Sequence, residues 1–172
     1  MTDKTIEVKE LFVHANNSRL LGPISFKLYA GQTLVVMGET GAGKSLLAQA
    51  ILGTLPDGLT ATGEIYINSQ RVDNLNMKQR AKLWGKDIAI LPQEPTLALD
   101  PLMKAAPQVK ESHRFVAQRS FKEAHLETIQ DFTRLNLRGA ESHLPNELSG
   151  GMAQRVAFAS STAANALSLI HI

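Results

Sequence analysis

The chain has 172 residues, 44% of them hydrophobic and 20% charged, a size and balance suited to a folded domain with a sizeable core. Lys and Arg total 18 against 16 Asp and Glu, so there is no broad cationic footprint of the kind that marks nucleic-acid binders. Cysteine is absent, which excludes disulfides, thiolate metal sites and cysteine nucleophiles.

The first residues, "MTDKTIEVKE", hold no apolar signal core, and no apolar run nears the roughly 18 residues of a membrane span. A cytoplasmic protein is expected, with any membrane link made through a partner. "TIEVKELFV" opens with the alternation of a strand at Ile6 and Val8. "PISFKLYAGQTLVVMG" reads as a hairpin: Ile24, Phe26 and Leu28 alternate with polar residues, Ala30-Gly31 turns, and Leu34 to Met37 forms a strand apolar enough to be buried on both faces. Lys44 to Leu52 reads as a helix stopped by Gly53. "GEIYINSQRV" is a further short strand, Met77 to Trp84 a short helix, and "DIAILPQEP" a strand closed by Pro92.

After Pro101 the periodicity becomes helical. From about Gln108 to Leu137 the residues Val109, Phe115, Val116, Phe121, Leu126, Ile129, Phe132 and Leu135 recur at helical spacing among charged residues, up to Pro145. "SGGMAQRVAFASSTAANA" follows as a helix with Ser149 as its N-cap. "LSLIHI" closes the chain as an apolar, strand-like run. The outline is a mixed core interrupted by a helical insertion.

Gly38-Glu39-Thr40-Gly41-Ala42-Gly43-Lys44-Ser45 fits G-x-x-x-x-G-K-[ST], a phosphate-binding loop. Glycines let successive backbone N–H groups turn toward phosphate oxygens, and the helix opening at Lys44 points its positive dipole end at the same anion. Lys44 reaches the β- and γ-phosphates as a mobile point charge, and Ser45 Oγ is a ligand for Mg²⁺. A bare glycine turn before a lysine is the bland alternative; the position between an expected strand and an expected helix favours nucleotide.

About a hundred residues later, Leu148-Ser149-Gly150-Gly151 opens another helix. By itself this is an ordinary capped terminus. In order, however, GETGAGKS, Gln93 in "ILPQEP" and "LSGGMAQR" resemble the ATP-binding subunits of ABC transporters, over nearly the whole chain from Thr5 to about Phe158. Met152, "QEP-x-x-x-L-x-P", "GKSLLAQAILGTLP" and "GEIYIN" resemble the peptide and nickel importer branch.

The resemblance implies an α/β fold, the P-loop NTPase core of ABC ATPases with a mixed sheet, an antiparallel β subdomain and an inserted α-helical subdomain. Core 1–97, helical subdomain 98–147, and signature helix with terminal strand 148–172 are the expected parts of one incomplete domain. It also implies ATP and Mg²⁺ as ligands, with Gln93 sensing the metal and the attacking water. Ser149, Gly150 and Gly151 would cover the γ-phosphate held by a second ATP-binding subunit in a head-to-tail dimer. The helical insertion would contact membrane permease subunits, and a periplasmic or lipoprotein solute-binding protein would act upstream. The expected location is the cytoplasmic face of the cell membrane, with no nucleic-acid partner. A soluble ABC ATPase acting on ribosomes or DNA is the other reading.

Two departures from the family pattern stand out. Where an aromatic residue usually stacks on adenine, "FVHANNS" places Ala15, with His14 or Phe12 as substitutes. The family's apolar strand ending in Asp-Glu, which supplies a metal-supporting aspartate and a general base, is matched here only by "LSLIHI". His171 in that apolar run is expected to be structural. The chain therefore reads as the N-terminal portion of such an ATPase, truncated before the Asp-Glu, able to bind ATP and poor at hydrolysing it.

Overall fold

The structure, a computed structural model, describes residues 5–16, 18–94, 98–166 and 168–171. The chain divides into two compact units, Met1–Asp87 and Ile88–Ile172.

In the first unit, β1 (Thr5–Ala15), β2 (Ser18–Tyr29), β3 (Leu59–Ile67) and β4 (Gln70–Arg71) form an antiparallel sheet in the order β2-β1-β3-β4. The buried residues of β1 are Ile6 and Val8, then Leu11 and Val13. The phase of the alternation slips between the two pairs because the register shifts there against both neighbours and Glu10 takes φ 47°. One extra residue in a strand leaves a backbone group unpaired and turns the side chains that follow. The Glu10 N–H donates instead to Ser25 Oγ at 2.8 Å. Helix α1 (Lys44–Leu52) packs on β1 and buries Leu47, Ala48, Ala50, Ile51 and Leu52. Helix α2 (Met77–Arg80) is a single turn fixed by a reciprocal cap between Asn76 and Gln79.

The second unit pairs β5 (Ile88–Leu91) with β6 (Ser168–His171) in parallel, Ile88 opposite Ser168. Between them lie α3 (Ala105–Glu111), a π-helical turn (Ser112–Val116), α4 (Phe121–Arg134), a 3₁₀ turn (Pro145–Glu147) and α5 (Gly150–Thr162). The core joins Leu91, Val109, Phe132 and Leu137 to the small face of α5, formed by Ala153, Val156, Ala157 and Ala159. Small residues let neighbouring backbones approach closely, so α5 packs on both α3 and β5. Ser161 Oγ also donates to the Ile90 carbonyl of β5 at 2.9 Å. Beneath α4 a buried polar link runs from His113 Nε2 to Asp131 Oδ2 at 2.8 Å, and Arg134 donates to Asp131 Oδ1 at 2.9 Å.

Several elements differ from the expectation. β2 pairs back onto β1, not forward onto Leu34–Met37. Residues 33–38 form no strand, and Leu34, Val35, Val36 and Met37 are 45%, 71%, 46% and 86% exposed. An apolar run becomes a buried strand only when ladder partners take its N–H and C=O groups, and among the described residues none pairs with it. The helix expected from Met77 to Trp84 stops at Arg80 and continues as turns. In the helical region Phe121, Leu126 and Ile129 are exposed because α4 turns Ala124, Thr128, Asp131 and Phe132 inward, and Phe115 is exposed on the π-helical turn before it. Asn17 and Pro95, in the quoted "FVHANNS" and "QEP", and the His171 side chain lie outside the described residues.

Amide exchange tests this arrangement: residues 33–38 should exchange in the fast class, and Val8, Val13 and Ile65 in the slow class, because exposed unpaired amides open without cooperative unfolding. Slow exchange at residues 34–37 would show that the run has found a sheet.

Candidate functional site

The phosphate-loop sequence is built onto the start of α1. Gly41 has φ 86° and Gly43 φ 88°, a left-handed conformation that glycine adopts without steric cost. Gly43 also approaches β2 closely, since a Cβ there would lie 2.8 Å from Leu21 Cδ1. Inside the loop, Ala42 N–H donates to the Glu39 carbonyl at 3.1 Å. Gly43 is the N-cap of α1 and offers no side chain to its free N–H groups. The first turn of a helix leaves such groups without internal partners, and together with the helix dipole they favour an anion.

Lys44 Nζ folds back over this loop and donates to the Gly38 and Glu39 carbonyls, each at 2.7 Å. Its partners are neutral backbone groups rather than a carboxylate, so its charge is not neutralised there. Ser45 is exposed, while the apolar face of α1 anchors the helix. The donor set fits a phosphate: an uncapped helix terminus, open space at Gly41 where a Cβ would meet nothing within 4 Å, and one mobile ammonium. Among the described residues no group of three or more His, Asp or Glu side chains is placed to hold a metal ion. A divalent ion here would rely on the Ser45 hydroxyl and on oxygens of its own nucleotide.

His14 and Phe12 lie in β1 of the same unit with ring centroids 6.0 Å apart. His14 is opposite Arg19 of β2 and Thr60 of β3. Both rings are half-buried, so each keeps part of its face open.

The remaining candidates belong to the second unit. Gln93 is exposed just beyond β5 and Pro92. Ser149 is the N-cap of α5, and its Oγ accepts from Met152 N–H at 3.3 Å. That bond uses an oxygen lone pair and leaves the hydroxyl proton free to donate. Gly150 and Gly151 are exposed, and a Cβ on either would meet nothing within 4 Å. Arg155 holds this helix start in place: Nε donates to the Gly151 carbonyl at 3.0 Å, and one terminal nitrogen donates to Leu135 and Asn136 carbonyls at 2.8 and 3.2 Å.

Two helix starts, one glycine-looped and one serine-capped, are thus presented with open surroundings. The profile of a family described as ABC transporter matches residues 21–170. The chain belongs to this family. It is 31% identical over 176 residues to the oligopeptide transport ATP-binding protein OppD of Bacillus subtilis (strain 168), covering 97% of this chain and 49% of that one. It is 36% identical over 143 residues to the metal-staphylopine import system ATP-binding protein CntD of Staphylococcus aureus (strain Mu50 / ATCC 700699), covering 81% and 53%. The chain spans about half the length of these relatives. Among solved structures it superposes on the dimeric ATP-binding cassette MJ0796, in a post-hydrolysis state bound to ADP and Pi, with TM-score 0.82 and 25% identity over 96% of this chain and 72% of that one. The fold is therefore the α/β P-loop fold of ABC ATPase cassettes.

Sequence reading missed Arg80 and Trp84, which bond the far end of α1. No motif marks them, because their role depends on a helix about 30 residues away in the chain.

Lys44→Ala should weaken binding of a fluorescent ATP analogue by about ten- to a hundredfold, the scale of one or two charge-assisted hydrogen bonds. Fluorescence titration of both proteins measures this, and equal affinities would remove Lys44 from the site.

Proposed function

We propose that this chain is the nucleotide-binding part of an ATP-driven importer subunit. The observation that carries the reading is the uncapped start of α1 beneath Gly41 and Gly43, with Lys44 folded over it. Gly38, Glu39, Thr40, Gly41, Ala42 and Gly43 form the phosphate loop. Their backbone and the first amides of α1 bind and orient the triphosphate, and Lys44 exchanges its two carbonyl partners for phosphate oxygens. Mg²⁺, when bound, would offset charge on the phosphates, with Ser45 Oγ as its contact from α1; Gln93, in the other unit, keeps the role of sensing the metal and the attacking water that the family resemblance gives it. His14, or Phe12 beside it, supplies a ring face for adenine.

Ser149, Gly150 and Gly151 offer a second donor cluster, with the Ser149 hydroxyl proton still free. The reading assigns this cluster to the nucleotide of another ATP-binding subunit, in a head-to-tail pair. Closure of such a pair follows from binding, since each nucleotide gains contacts only in the closed state. Residues 98–147 make up the helical subdomain that meets membrane permease subunits; 1–97 and 148–172 complete the domain. Among the described residues no helix is long and apolar enough to cross a membrane; the reading puts the chain at the cytoplasmic face through its partners. The OppD and CntD relatives carry oligopeptide and metal-staphylopine import in their names, and a peptide- or metal-complex-sized solute, delivered by a separate binding protein, is the class of cargo the reading adopts.

No Asp-Glu pair occurs anywhere in the 172 residues, so no carboxylate pair of the kind the family uses is available for the attacking water. A polypeptide of these residues should bind Mg-ATP and release phosphate at about 10²- to 10⁴-fold below a longer chain that carries the pair, the usual cost of a missing general base. A phosphate-release assay on both decides it. Comparable turnover would mean that a base lies elsewhere among these residues, and failure to bind nucleotide would strike the whole reading.

A further inference from the structure

The two ends of α1 are treated in opposite ways. At its start no side chain caps the helix. At its end all four terminal carbonyls are occupied. The Gln49 carbonyl accepts from Thr54 N–H at 2.9 Å, and Ala50 accepts from Gly53 N–H at 3.2 Å. One terminal nitrogen of Arg80 donates to Ile51 at 3.2 Å and lies 3.4 Å from the Ala50 oxygen. Trp84 Nε1 donates to Leu52 at 3.2 Å.

Arg80 is only 8% exposed. Burial pushes the guanidinium's pKa below its usual value, and Asp73 opposes that shift; an arginine nonetheless stays charged in the physiological range. Its place depends on Gly53, where φ is 74° and an added Cβ would collide with the Arg80 terminal nitrogen and Cδ. Gly53 thus serves both as the left-handed stop of α1 and as the notch that admits the guanidinium.

We propose that Arg80, seated in the Gly53 notch and assisted by Trp84, is a positioning residue for the phosphate loop, acting through α1. This deepens the reading above and rests on it. A helix of nine residues is too short to hold its own place in water. Its position along the axis is set by whatever grips it, and at the phosphate end nothing may grip it without blocking the ligand. The apolar face packed on β1 holds the helix sideways, and directional hydrogen bonds from side chains to its main chain come from the other end. A buried cation there also faces the negative pole of the helix dipole, the favourable orientation. Losing it leaves the Ile51 carbonyl without its protein partner, frays the last turn and shifts the Lys44 and Ser45 amides that receive phosphate.

The test uses the 172-residue chain with a fluorescent ATP analogue, at a temperature well below each protein's melting midpoint. Arg80→Ala should bind about tenfold more weakly, the scale of a lost charge-assisted hydrogen bond. Millimolar guanidinium, far below denaturing levels, should restore affinity to Arg80→Ala and not to Lys44→Ala. Gly53→Ala should reproduce the loss, and adding it to Arg80→Ala should cost less affinity than it does alone, the remainder being the strain of a Cβ at φ 74°. Without nucleotide, the Ser45–Ala48 amides should exchange faster in Arg80→Ala. If that variant does not fold, Arg80→Lys and Gly53→Ala carry the same comparisons. A folded Arg80 variant with wild-type affinity and unchanged Ser45–Ala48 exchange overturns the inference and leaves the nucleotide reading standing. Faster exchange in a chain that binds no nucleotide even as wild type overturns the nucleotide reading, and with it the role in positioning phosphate, while showing that Arg80 does hold α1.

Discussion

The proposed phosphate site rests on one asymmetry in a nine-residue helix. Helix ends carry unsatisfied groups of opposite sign. In α1 the carbonyl end is closed by backbone N–H groups, Arg80 and Trp84, while the amide end is left open under a glycine loop. A side-chain cap at the start of α1 would occupy amides that the proposed phosphate contact uses. The open end costs stability until an anion arrives, which makes the binding energy of that anion available for other work.

The sheet that supports this helix is organised around β1, which pairs with β2 on one side and β3 on the other. The bulge at Glu10 separates the strand into two segments whose buried residues keep facing the same core. Without it, Leu11 and Val13 would face away from Ile6 and Val8, since a one-residue slip reverses every side chain. The bulge also decides which face Phe12 and His14 occupy, so the candidate adenine-stacking ring is set by a backbone irregularity two to four residues earlier.

The second unit repeats the logic of α1 with different parts. Helix α5 starts on Ser149 and two exposed glycines, and Arg155 ties its first turn to the carbonyls that follow α4. In both places an arginine takes backbone carbonyls and so fixes a helix by its main chain, and a planar guanidinium with several donors suits that task better than an ammonium. The small inner face of α5 lets it lie close to β5 and α3 at once.

Local chemistry is what the sequence could declare. The helix Lys44–Leu52 with its Gly53 stop, the Ser149 cap, the strands at Ile88–Leu91 and Ser168–His171 and the phosphate loop all rest on residues adjacent in the chain, where spacing, capping and φ preference act directly. Partnership is what it could not declare. The run Leu34–Met37 is as apolar as any buried strand, yet it is exposed because burial depends on a ladder partner that no local pattern specifies. Leu126 and Ile129 have helical spacing but sit outside the stripe that Ala124, Thr128 and Phe132 turn inward. Arg80 looks like one more surface cation beside Lys78 and Lys82, and only the tertiary structure carries it into the notch at Gly53, because a buried charge is settled by whichever carbonyls the fold brings within hydrogen-bond reach.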